Sequence, residues 1–223
     1  MPSPYVVDHD ALPAYAQQTP LIRSGYRRPG DMHVKDDSER PHIHDSWYKC
    51  WKSVWLYWHN ETINIHTHMW GAVFAIALLA LQLADLHHWL PGGPWSLLSL
   101  DTLPPPTILE PYPHLGLAIH GRPERMQPSR SDLTALSIFL LAAMTCLGCS
   151  ATYHTVVCRS NPVAQKFNRL DYVGIVVLIV GSNVPALHFG FHCHPHLRTI
   201  YVTLALAWGV LAMYVMTQPQ YTV

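Results

Sequence analysis

A chain of 223 residues with 13% charged side chains and no formal net charge carries about half the ~25% charged residues usual in a soluble domain, which points to the membrane class. Its balance of 14 basic against 14 acidic residues excludes the basic footprint a nucleic-acid partner requires. The five cysteines, Cys50, Cys146, Cys149, Cys158 and Cys193, are odd in number and imply no disulfide scaffold.

In chain order, residues 1–45 are polar, hold six of the 19 prolines and lack an apolar h-region, so they read as a disordered tail rather than a cleaved leader. In the following "SWYKCWKSVWLYWHNE", Trp47, Trp51, Trp55 and Trp58 are spaced by four, four and three and share one helical face. With Lys49 and Lys52 on the other side, residues 46–60 are expected to form an amphipathic interfacial helix. A spanning helix needs roughly 20 mostly apolar residues. Four runs approach that, over about 67–86, 133–157, 171–191 and 200–216, within a bundle covering 61–217. A loop over 87–131, with nine prolines, separates the first two. The fold class expected is all-α, a multi-pass transmembrane helix bundle.

The link over 158–170 carries Arg159, Lys166 and Arg169 without an acidic residue until Asp171, so the positive-inside rule places it in the cytoplasm. Alternation then puts the amino terminus inside, together with ten of the 14 basic residues. Nothing distinguishes the plasma membrane from an endomembrane. Membrane lipid is the partner this implies, and the small residues Cys146, Gly148, Cys149 and Ser150 suit close helix–helix association.

Ionisable side chains inside spans are costly, and His154 and Asp171 sit just inside two rims that the short link brings to one side of the bilayer. Imidazole and carboxylate are both zinc ligands, and Ser150 lies one turn before His154 on the same face. On spacing alone a structural hydrogen bond or rim ion pair is the commoner explanation, with a metal the alternative. The first span adds Glu61, Asn64 and His68 at i, i+3 and i+7, on one face at a similar depth, where they could orient metal ligands from behind. An N-cap at Asn60 with Glu61 in the first turn accounts for those two residues but not for Asn64 or His68.

The blocks "NETINIHTH" at 60–68, "SATYHTVVCRS" at 150–160 and "RLDYVGI" at 169–175, with the tryptophan-rich helix and "GSNVP" at 181–185, resemble the progestin and adiponectin receptor family, also called haemolysin III-related proteins. The resemblance implies a seven-helix membrane protein with an inside amino terminus and an intramembrane Zn2+ near the cytoplasmic face. It matches His154 and Asp171 to zinc ligands and Ser150 to the serine beside the metal's water. It further implies a role in signalling and in lipid or zinc homeostasis, with an unknown lipid, sterol or protein ligand, and a ceramide-type amidase activity in some members. The family completes its site with H-x-x-x-H on the seventh helix. Only four runs are present here, so the chain is expected to be truncated after the fourth helix and to bind zinc poorly. His188 and His192 form another H-x-x-x-H, but 17 residues from Asp171, ~25 Å of helix, place them at the opposite side of the bilayer. Two other readings stand beside this one: a membrane haem protein with His68 and His154 as axial ligands, and a non-catalytic truncated membrane subunit.

Overall fold

The computed structural model describes residues 5–17, 21–32, 44–83 and 129–218. After a short helix α1 (Trp47–Leu56), four helices are long and apolar enough to cross a membrane: α2 (Thr62–Leu83), α3 (Arg130–Val156), α4 (Asn161–Gly190) and α5 (Pro195–Thr217). They carry apolar side chains outward as well as inward. Trp208, Val210 and Tyr214 of α5 are all exposed, an arrangement that lipid stabilises and water would not. Local signals set the ends. Ser129 and Asp132 open α3 with a reciprocal capping box, while Pro162 and Pro195 stand in the first turns of α4 and α5.

Helix α3 is central, packing against α2 on one side and α4 on the other, and α5 packs on α4. Neighbours run antiparallel. The Gln82 amide near the end of α2 donates to Leu133 O at 2.7 Å and Ser137 Oγ at 2.8 Å near the start of α3. At that same end Asp132 accepts from His188 Nε2–H at 2.7 Å, and Arg198 Nη1 approaches His188 Nδ1 at 3.4 Å, joining α3, α4 and α5. His188, expected on the opposite side of the bilayer, therefore belongs to a three-helix clasp at the pole opposite His154. Small residues bring α3 and α4 together. A Cβ on Gly174 would stand 3.1 Å from Cys146 Cα, and one on Gly181 would collide with Ala142.

Three expectations change. The expected span 171–191 is the apolar part of a helix that starts ten residues earlier, because Pro162 in its first turn begins the helix before the apolar run does. The link over 158–170 shrinks accordingly to a turn at 157–160. Helix α1 ends at Leu56, and Tyr57 is extended, so Trp58 leaves the tryptophan face and only Trp47, Trp51 and Trp55 share it. The opposite side of α1 buries Cys50, Ser53 and Val54 against the bundle.

The third change is at the amino terminus, where the described residues are folded rather than a tail. Strands β1 (Val6–Val7) and β2 (Tyr26–Arg27) pair antiparallel, with Val6 opposite Arg27. Tyr26, Arg27 and Arg28 are buried. The segment docks on the bundle through polar contacts: Gly30 N donates to Cys158 O at 2.8 Å, Asn60 N to Gly25 O at 2.9 Å and Asn161 N to Asp31 Oδ2 at 3.0 Å. Gly30 is required by this approach, since a Cβ there would press on the carbonyls of His44 and Arg159. The rest of 1–45 and nearly all of the proline-rich loop lie outside the described residues.

Candidate functional site

The last turns of α3 and the approach to α2 meet at one pole of the bundle. His154 Nδ1–H donates to Glu61 Oε2 at 2.7 Å, with 20% and 14% of the two side chains exposed. Asn64 Nδ2 donates to the same oxygen at 3.1 Å, and Asn60 Nδ2 donates to Oε1. Burial pushes the Glu61 carboxyl up, but the bonds from His154 and Asn64 and the Arg27 guanidinium outweigh it and hold the group below its ordinary range. Asn60 therefore serves the Glu61 carboxylate through its side chain, and Glu61 serves His154. The ring of His68 lies 6.0 Å from that of His154, and its buried Nδ1 has no hydrogen-bond partner among the described residues.

Ser150 is buried on α3 one turn before His154. Asp171 is half-buried on α4, one turn before Gly174, which packs against Cys146 and Cys149 of α3. The structure thus gathers Glu61, Asn64, His68 and His154. Among the described residues it forms no group of three His, Cys, Asp or Glu side chains able to hold a metal. With Nδ1 engaged by Glu61, Nε2 is the His154 nitrogen left to face a metal. A carboxylate behind the other ring nitrogen is how metal-binding histidines are commonly oriented. His154 and its support fit zinc, and an unpartnered His68 Nδ1 beside them adds a nearby donor. The three protein ligands usual for catalytic zinc require a donor from beyond the described group.

Arg27 is the residue that sequence reasoning missed. It is 3% exposed, and its Nη1 donates to Thr155 O at 2.8 Å and Ser53 Oγ at 3.1 Å, while Nη2 donates to His154 O. The last carbonyls of a helix lack intrahelical partners and carry partial negative charge. One guanidinium satisfies two of them and ties the amino-terminal hairpin to α1 and α3. No local signal marks it, because the two carbonyls it satisfies lie more than 120 residues away.

Two buried histidines brace the same pole. His44 Nδ1–H donates to Arg28 O, its Nε2 accepts from Tyr57 O–H, and burial pulls its pKa down to about 4. His59 is pulled down to about 3 by burial and by Arg27. Both rings are neutral at physiological pH.

Comparison with known proteins agrees with this architecture. The family model described as "Haemolysin-III related" matches residues 56–222. The chain is 28% identical to "Progestin and adipoQ receptor-like protein 1" of Caenorhabditis elegans over 94% of its own length and 36% of that protein. It is 26% identical to "Adiponectin receptor protein" of Drosophila melanogaster, over 94% and 35% respectively. It is 30% identical to "Heptahelical transmembrane protein 3" of Arabidopsis thaliana, over 82% and 54%. The chain therefore spans about a third to a half of the length of these relatives. A match over three quarters of the residues, on a helical bundle built to cross a membrane, shows that the chain belongs to the haemolysin-III related family of integral membrane proteins.

Proposed function

We propose that this membrane protein is of the adiponectin and progestin receptor type and binds Zn2+ at the His154 pole, with that pole and the amino terminus facing the cytoplasm. The single observation that carries the reading is the 2.7 Å bond from His154 Nδ1–H to Glu61, which fixes the ring and leaves Nε2 for a metal. His154 and Asp171 are the protein ligands in this reading, Ser150 stands beside them, Glu61 holds the His154 ring from behind, Asn64 braces Glu61, and His68 lies beside the ring. Bound zinc would supply Lewis acidity toward an amide carbonyl and acidify water, as ceramide-type hydrolysis requires. The chain's own part is to orient His154, keep Glu61 ionised and hold the site at the end of α3. Signalling and lipid or zinc homeostasis are the processes this serves. A haem between His68 and His154 would give Ser150 and Asp171 no role.

The test compares the 223-residue chain in detergent with the same chain joined to the carboxyl-terminal part of one of the longer relatives. Metal content, visible absorption and ceramide cleavage are measured in both. The expected result is substoichiometric zinc and no cleavage in the first, and stoichiometric zinc, lost on His154→Ala, in the second. A Soret band, or stoichiometric zinc that survives His154→Ala, would overturn the reading.

A further inference from the structure

Five cysteines are free, and two of them meet. Cys50 lies in the middle of α1 with none of its surface exposed, and Cys158 lies in the α3–α4 turn at 5%. Their Sγ atoms are 3.8 Å apart across 108 residues of chain. Cys146 and Cys149 sit within α3, and Cys193 is exposed beyond the far end of α4, so no other described pairing joins α1 to the turn. We propose that Cys50 and Cys158 are a thiol pair that closes to a disulfide when met by a small two-electron oxidant of the peroxide class.

The surroundings divide the roles. Burial opposes ionisation of Cys158, but the neighbouring Cys50 S–H, the Arg27 guanidinium and its own turn's backbone draw its pKa below the ordinary thiol value, while Cys50 is pushed up. Cys158 is accordingly the nucleophile and Cys50 the resolving thiol. The Cys158 thiolate attacks one peroxide oxygen, the O–O bond breaks, and the sulfur becomes sulfenic acid as hydroxide leaves and collects the thiol's proton as water. Cys50 sulfur then attacks Cys158 sulfur. The S–S bond forms, the S–O bond breaks, and the departing hydroxide takes the Cys50 proton as a second water. Two thiols have lost two electrons and one peroxide has gained them. Both sulfurs are screened from bulky reagents, so the oxidant must be little larger than water.

Closure would staple α1 to the turn that follows His154, beside the Arg27 clasp on Ser53 and Thr155. The sulfurs need only close from 3.8 Å to about 2.05 Å. This pair is independent of zinc, and its test does not depend on the metal.

The experiment uses the 223-residue chain carrying Cys193→Ser, in detergent and in lipid vesicles. It is titrated with hydrogen peroxide, denatured, blocked with N-ethylmaleimide, digested and mapped by mass spectrometry. The expected result is a linked Cys50–Cys158 peptide that rises one-for-one with the loss of both thiols and disappears after dithiothreitol. In Cys50→Ser the same titration should trap Cys158 as a dimedone adduct, with far-UV circular dichroism confirming the fold. The unsubstituted pair decides the matter without any variant at either position. Conversion of Cys158 to sulfinic acid with no linked peptide, or a Cys146–Cys149 link in its place, would overturn the proposal.

Discussion

Nδ1 of His154, near the end of α3, donates to Oε2 of Glu61, immediately before α2, so one hydrogen bond joins the two antiparallel helices at the candidate site. Removing that carboxylate frees the ring to turn. Glu61→Ala in the extended chain is expected to weaken zinc binding about 10–100-fold, as loss of an orienting carboxylate does in metal sites. Glu61→Gln, which keeps an acceptor oxygen, should cost less. Competition with a chromogenic chelator measures both, and an unchanged affinity in Glu61→Ala would detach Glu61 from the metal.

Arg27→Met should loosen the whole pole. The substitution keeps an apolar stem of similar reach but strands the carbonyl of His154, leaves Thr155 O only the Cys158 S–H at 3.8 Å, and takes a donor from Ser53 Oγ, whose own bond to Cys50 O remains. An unpaired buried acceptor costs about 1–3 kcal/mol, so a loss of about 2 kcal/mol is the expected scale. Arg27→Lys should recover part of it, because an ammonium carries charge but not the planar fork. Thermal unfolding in detergent, followed by protease cleavage within residues 5–32, reads the effect.

Acid should release the amino-terminal hairpin. The His44 pKa falls from the ordinary 6.5 to about 4 on burial. Its neutral ring therefore contributes fully above about 6.5, loses that contribution progressively as pH falls, and contributes nothing extra below about 4. His59, pulled down to about 3, acts with the same sign. Hydrogen exchange over residues 21–32, taken relative to each amide's intrinsic rate at the same pH, should rise between about pH 7 and about pH 4. His44→Gln should flatten part of that rise while lowering protection at neutral pH. An equally steep rise in the variant would assign it to other groups.

Orientation can be read by thiol labelling, with reporters chosen for exposure. Cys50 and Cys158 are buried and would stay silent from either side. Cys193 is exposed at one pole, and Lys166 is exposed in the first turns of α4 at the other. An impermeant maleimide should label Cys193 on intact cells and Lys166→Cys only after permeabilisation. The reverse pattern would invert the proposed topology.

The helical class and the four spans were legible because hydropathy is a property of contiguous residues, and the expected spans fall largely within α2 to α5. Their ends were not, since Pro162 starts α4 in polar sequence and Tyr57 stops α1 before Trp58. The grouping of Glu61, Asn64 and His68 was legible from helical spacing, and its meeting with His154 followed from common depth. The folded amino-terminal segment was hidden. Its composition is that of a polar tail, and the polar bonds that order it include ones to residues more than 100 positions away, such as Gly30 with Cys158 and Arg27 with Thr155. Pairing between Cys50 and Cys158 was hidden for the same reason.

The Arg27 clasp also fixes an order of assembly. Arg27 leaves the ribosome 128 residues before Thr155, its acceptor, exists. Until α2 has carried the chain across the bilayer and α3 has brought it back, the hairpin must wait on its original side with a buried-to-be guanidinium still in water. The socket is finished only when the return crossing is complete. A leader peptide or amino-terminal fusion that drew the hairpin through the membrane would strand key and socket on opposite faces, leaving a bundle with every helix in place and an open pole.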